Sequence, residues 1–275
     1  MKKFDGILIA TDLDGTLLRN DKTISEENLS AIEYFKENGG IFTFVTGRSA
    51  TVVGYIYDLV RPNAPIGAFN GGAVIDAEKG EFISKHILSR DALELVRLVD
   101  KKMPGMSIQL CGFENSYFCK TNDAMERHIV TGRFRDLRCH YTEVKEDLAK
   151  ILFAHSEEAE ILKLRKLLET HPLSEKFQFV RSDFEFLEIL PKGLSKGENL
   201  VKIAEIAGVD TKRTIGIGDN ENDISLIEKA GIGIAVSNAS EIAKKYADII
   251  TVSNEENAIA RIIKELEEGK ISLEV

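Results

Sequence analysis

The chain has 275 residues, 43% of them hydrophobic and 29% charged, a globular balance that excludes disorder and suits one large domain or two ordinary ones. Thirty-six Lys plus Arg against forty-five Asp plus Glu leave a net charge of −9, which repels a phosphate backbone and excludes a general nucleic-acid binder, though not a local cationic pocket for a small anion. No apolar run reaches the roughly 18 residues of a membrane helix, and three cysteines outside any CxxC pattern, with five scattered histidines, exclude a disulfide scaffold and a zinc site. The opening Met1-Lys2-Lys3 imitates a signal peptide, but Asp12 and Asp14 interrupt the apolar stretch and no small-residue cleavage site follows. A soluble, cytoplasmic protein without nucleic-acid or membrane partners is expected.

In chain order, Gly6 to Thr11 is a continuous apolar run, as in a strand buried on both faces of a parallel sheet. Ser25 is a plausible N-cap for a helix presenting Leu29, Ile32 and Phe35 and stopped by Asn38-Gly39-Gly40. Two further strands, Ile41 to Val45 and Ile66 to Phe69, run into Thr46-Gly47-Arg48 and Asn70-Gly71-Gly72. Strand, helix and strand with short joints imply βαβ units. From Phe82 to Leu190 the texture changes to paired short strands (106–110 with 117–120, 178–181 with 184–189) beside helices near 91–102, 124–132 and 157–170. After Pro191 the first pattern returns, with a helix at 198–207, strands at 214–217, 232–236 and 248–252, and a closing helix at 257–268. The expected architecture is an α/β, Rossmann-like parallel-sheet core, residues 1–81 and 190–275, interrupted by an α+β module at 82–189.

Ligand sites of open parallel sheets lie beyond the carboxyl ends of the strands. Four of those ends are polar here: Asp12-Leu13-Asp14-Gly15-Thr16, Thr46-Gly47-Arg48, Asn70-Gly71-Gly72 and Gly218-Asp219-Asn220-Glu221-Asn222-Asp223. In the first cluster one carboxylate can act as a covalent nucleophile and the other as a proton carrier; equally, the pair can cap the next helix. A carboxylate meeting a phosphate dianion suffers about 4 kcal/mol of repulsion per charge pair at 4 Å and an effective dielectric near 20, so such a site needs cations. Asp219 and Asp223 suit an oxygen-liganded Mg²⁺, or they can be acids at a helix start. Lys196, opening its helix against the dipole, is a second cation if an anion faces it. Thr46 and the Gly47 amide can bond a phosphate oxygen, and Arg48 can neutralise substrate charge.

Read in order, DLDGT, TGR, SKG and GDNEND resemble the four motifs of the haloacid dehalogenase (HAD) superfamily of phosphatases, over the whole chain. The likeness is greatest to the Cof-type branch, in which a large α+β cap that sets specificity is inserted between the second and third motifs. Asn70-Gly71-Gly72 resembles that branch's NGA-like motif, with Gly72 where Ala is common. The resemblance implies that Asp12 is nucleophile and Mg²⁺ ligand, and that Asp14 is general acid and base with its carbonyl on the metal. It implies that the Leu13 amide, Thr46, Gly47, Lys196 and Asn222 hold the phosphoryl group. Asp219 would be the third metal ligand and Asp223 a supporting carboxylate, with Arg48, Asn70 and Gly71 in supporting places. The expected reaction is Mg²⁺-dependent hydrolysis of small phosphate monoesters, such as sugar phosphates, through an aspartyl-phosphate. Alternatives are a phosphomutase, using cap arginines Arg127, Arg133, Arg135 and Arg138 for a distal phosphate, and a non-catalytic sensor of a phosphorylated metabolite.

Overall fold

The computed structural model describes residues 2–273. The chain divides into two compact units. One comprises the residues up to Gly47, Tyr55–Ser84 and the chain from Ser195 onward; the other comprises Arg48–Gly54 and Lys85–Leu194. The fold is α/β, with a parallel sheet in the first unit and an inserted second unit of its own.

The first unit is built on five strands in the spatial order Ile249–Ile250, Ile232–Ala235, Thr214–Gly218, Leu8–Thr11, Ile41–Phe44, every pair parallel. All four residues of Leu8–Thr11 are buried, which explains why the strand reads as a continuous apolar run. Leu8 and Ala10 face one way and pack with Leu200, Ile203 and Ala204 of helix Lys196–Ala207 and with Leu226; alternation sends Ile9 and Thr11 to the other face. Each such buried Leu or Ile stabilises the fold by about 1.5–3 kcal/mol. Sequence order reverses at the central pair, where Leu8–Thr11 lies beside Thr214–Gly218. That junction is the switch point at which the connecting loops part and leave a crevice.

The helix after the first strand runs Glu26–Glu37, and the Ser25 side chain accepts from the Asn28 amide. Its buried positions are Asn28, Ile32 and Phe35. Leu29, expected on that face, is half-buried, and Asn28 is buried instead because its Oδ1 accepts the Ala260 amide at 3.0 Å.

The second unit is a six-stranded sheet in the order Phe177–Asp183, Phe186–Pro191, Leu148–Ala154, Ser107–Gly112, Ser116–Lys120, Leu137–Arg138. Its neighbours are antiparallel except the last pair. Ile108, Leu110, Ile151, Phe153, Leu187 and Ile189 form one apolar face against helices Ala92–Lys102 and Glu158–Glu169. Helix Asp123–Thr131 packs Ala124, Met125 and Ile129 against Phe118, Leu152 and Ala154. The sequence reading did not find Leu148–Ala154, although all seven of its residues are buried. Lys150 in its middle broke the apolar pattern; in the fold it pairs with buried Glu188 at 2.8 Å.

Candidate active site

Asp12 directly follows Leu8–Thr11, and Asp219 directly follows Thr214–Gly218, so the switch point brings two carboxylates from distant sequence to adjacent strand ends. The Asp12 amide donates to Ile217 O at 2.8 Å, extending the ladder by one residue and fixing where its side chain emerges. Lys196 begins its helix behind the N-cap Ser195, whose hydroxyl accepts from the Glu198 amide at 3.2 Å. The lysine side chain is fully buried, and its ammonium bridges Asp12 Oδ1 at 2.7 Å and Asp223 Oδ1 at 2.6 Å. Here is the anionic partner that justifies a lysine at a helix start. The other oxygen of Asp223 accepts the Asp219 and Asn220 amides, both at 3.0 Å. Asp223 is thus committed to shaping the GDNEND loop and holding the lysine.

Electrostatics in this cluster are strained. Burial, and then the charge of Asp223, push the Asp12 carboxyl up to about 7, although Lys196 opposes them. Burial, then Asp223 and Asp12, raise Asp219 well above the ordinary carboxylate range against a hydrogen bond from Thr16 and the charge of Lys196. Burial pulls Lys196 down, but Asp12 and Asp223 outweigh it and hold the ammonium above its ordinary value. Three acids share one lysine, so the cluster lacks positive charge.

Asp12, Asp219 and Asp223 each offer an oxygen within 4.8 Å of the others. Oxygen-only donors of this kind suit a hard divalent cation. The loop also leaves space at Asp219: Gly15 has φ +79°, and a Cβ there would lie 2.6 Å from Asp219 Oδ2. Asp219 Oδ1 is held by the Thr16 hydroxyl at 2.8 Å, and Gly15 O accepts from Asn238 Nδ2 at 2.8 Å. The residues present therefore fit a metal ion. The carboxylate beside Asp12 and Asp219 is Asp223; the Asp14 side chain instead pairs with Lys22 at 2.9 Å.

Most of the remaining sequence candidates lie in the loops after these strands. Asn70 and Gly71, however, follow Ile66–Ala68, which was expected in the parallel sheet and is not part of it. That strand pairs antiparallel with Ala73–Asp76 in a separate three-stranded sheet, joined to the segment after Ile41–Phe44 by the Val45–Gly67 bridge. Leu13 is buried, and its carbonyl accepts the Leu18 amide at 2.8 Å. Thr46 is buried, its amide donates to Gly67 O at 2.9 Å, and its carbonyl accepts the Asn70 amide at 3.1 Å. Asn70 is buried in a left-handed conformation, φ 53°, and Gly71 follows it. Asn70 Oδ1 accepts from Asn222 Nδ2 at 3.1 Å, tying the third strand end to the fourth. Gly47 lies so close to the Asn70 amide that a Cβ would approach it to 2.9 Å. Arg48 belongs to the second unit and is half-buried. Sequence reasoning missed Lys22, Asn238 and the Thr16 hydrogen bond. Lys22 and Asn238 lie outside the motif blocks, and no local pattern marked them.

The haloacid dehalogenase-like hydrolase family matches this chain over residues 9–263. The chain belongs to that family. It is an enzyme, a phosphatase by kind. It is 30% identical to a Bacillus subtilis protein, 5-amino-6-(5-phospho-D-ribitylamino)uracil phosphatase YitU, over 94% of this chain and 96% of that one. It superimposes on a haloacid dehalogenase-like hydrolase from Bacteroides thetaiotaomicron with a TM-score of 0.82 at 27% identity, covering 94% and 99% of the two chains. The HAD subclass IIB sugar phosphatase BT4131 shares the fold at a TM-score of 0.82 and 22% identity, covering 96% of this chain and 100% of its own.

Proposed function

We propose that this phosphatase hydrolyses small phosphate monoesters, sugar phosphates or related phosphorylated metabolites, with Mg²⁺ and through an aspartyl-phosphate on Asp12. The observation that carries the reading is the buried bridge of Lys196 between Asp12 and Asp223, beside Asp219. A carboxylate that attacks a phosphate must be aimed, and the bridge fixes one Asp12 oxygen by an ion pair. Asp12 and Asp219, with the Asp14 carbonyl, would hold the Mg²⁺, which when bound supplies charge neutralisation for the phosphoryl oxygens. Asp223 supports the site by holding Lys196 and the loop amides.

In the first step an Asp12 oxygen bonds to phosphorus while the ester oxygen leaves and takes a proton from Asp14. In the second, Asp14 takes a proton from water, whose oxygen bonds to phosphorus as the acyl-phosphate bond breaks and Asp12 is restored. The Leu13 and Gly47 amides, Thr46, Lys196 and Asn222 would hold the phosphoryl oxygens through both steps. Asn70 positions Asn222 and Gly47, Gly71 lets the chain pass close to the Ser195 backbone beside Lys196, and Arg48 would meet substrate charge. The core carrying this chemistry is assigned to residues 1–81 and 190–275, and residues 82–189 to substrate selection. The substrate that YitU is named for, 5-amino-6-(5-phospho-D-ribitylamino)uracil, is a phosphate ester of a ribityl chain, which supports a polyol or sugar phosphate here. The cysteines Cys111, Cys119 and Cys139 form no disulfide, which supports a reducing, cytoplasmic location.

The phosphomutase reading gains little. Of the four arginines it would use, Arg127 is paired with Glu185 and Arg138 with Asp136 and Glu126. The test is a phosphate-release panel of sugar, polyol and aryl phosphates and a hexose 1-phosphate, with Mg²⁺ and after exhaustive chelation. Release that stops on chelation and returns with Mg²⁺ is expected. No release from any ester, or full activity without metal, would contradict the proposal; conversion of the hexose 1-phosphate into its 6-phosphate would favour the mutase.

A further inference from the structure

We infer that Lys22 is a positioning residue for Asp14, delivering an ammonium that fixes the carboxylate on which proton transfer depends. The inference rests on the role proposed for Asp14. Lys22 Nζ lies 2.9 Å from Asp14 Oδ1, and both side chains are 40% exposed. A pair so exposed contributes little to stability, so any importance it has lies in where it holds the carboxylate. Lys22 sits at φ +67°, a conformation that Gly or Asn adopts at less cost. The turn around it is closely made: the Lys22 amide donates to Arg19 O and the Arg19 amide to Thr23 O, both at 2.9 Å. Asp21 Oδ1 accepts the Thr23 amide at 2.9 Å and its hydroxyl at 2.6 Å.

The turn is also anchored from the far end of the chain. Buried Asn254 donates to Leu18 O at 3.0 Å, Glu255 Oε1 accepts the Asn20 amide at 2.7 Å, and Asn257 Oδ1 accepts from Arg19 at 3.1 Å. A rigid, strained turn that carries lysine where glycine would fit better is built to present the side chain. With Oδ1 held by Lys22, rotation of the Asp14 carboxyl is restricted and its second oxygen keeps one direction. Leaving-group protonation is the step most sensitive to that direction.

The test compares K22M, K22G and K22R with the wild-type enzyme on 4-nitrophenyl phosphate and on the alkyl phosphate the wild type hydrolyses fastest. K22M and K22G should lower kcat about tenfold on both esters with KM within about twofold, because Asp14 also activates the water that both phospho-enzymes need. The pre-steady-state release of alcohol should slow far more on the alkyl ester than on the aryl ester, whose leaving group needs little protonation. K22R should recover most of the loss. K22G should melt no lower than wild type, since glycine relieves the strained φ, which separates positioning from a structural role. Wild-type kcat in K22M and K22G, a rise in KM alone, or equal slowing of the alcohol burst on both esters would overturn the inference. If the wild type releases phosphate from neither ester, the proposed function itself fails and takes this inference with it.

Discussion

Lys196 makes two ion pairs inside one buried cluster, at 2.7 and 2.6 Å, and both partners depend on it. Truncation to methionine keeps the volume and removes the charge, leaving two buried carboxylates face to face. Breaking a buried pair costs about 3–5 kcal/mol, so Lys196→Met should melt well below wild type at pH 8. At pH 5 a proton on Asp12 can replace the ammonium, and the loss should shrink. Denaturant melts at the two pH values check this; an equal loss at both would mean that the lysine only fills space. The sequence singled out Lys196 as a cation at a helix start that wanted an anion, but its bond to Asp223 was not legible. That bond spans 27 residues and exists only because two helices pack together.

At the scale of elements, the strand ends were readable because each carries its polar residues in one short block after an apolar run. The loops that anchor those blocks were not. Asn238 and Asn254 hold Gly15 O and Leu18 O, yet asparagine in a loop is an ordinary turn residue, and nothing local reveals a contact across more than 200 positions. Strand Leu148–Ala154 was hidden for a related reason, since Lys150 is tolerated only through Glu188 on the neighbouring strand. The DLDGT loop gives a test at this scale. Gly15→Ala places a Cβ 2.6 Å from Asp219 Oδ2 at φ +79°, whereas Gly80→Ala adds the same kind of strain, φ +68°, with nothing within 4 Å. Each should lose about 1–3 kcal/mol from backbone strain. Only Gly15→Ala should raise the Mg²⁺ concentration for half-maximal activity, by tenfold or more. An unchanged Mg²⁺ requirement in Gly15→Ala would remove Asp219 from the metal site.

For the whole molecule, the crowded acids tie stability to pH. In metal-free protein the folded Asp12 carboxyl titrates at about 7, above its ordinary 3.8, and Asp219 is raised in the same direction. Between about pH 4 and 7 the folded state therefore binds more protons than the unfolded state, and stability falls as pH rises through that window. Mg²⁺ held by these carboxylates, as proposed, would compete with those protons. Its stabilising shift in melting temperature should be larger at pH 8 than at pH 5, which thermal melts with and without Mg²⁺ measure. A shift independent of pH would place the ion away from these carboxylates.

In the proposed reaction Asp12 becomes phosphorylated while Asp14 carries the proton. Asp14→Asn keeps the nucleophile but removes the base that activates water, so the phospho-enzyme should accumulate on an aryl phosphate with Mg²⁺. Rapid quenching followed by peptide mass spectrometry is the direct measurement. It should show a burst of released phenol and one phosphoryl group on the peptide bearing Asp12, absent from Asp12→Asn. A phosphoryl group on any other residue, or turnover surviving in Asp12→Asn, would contradict the claim.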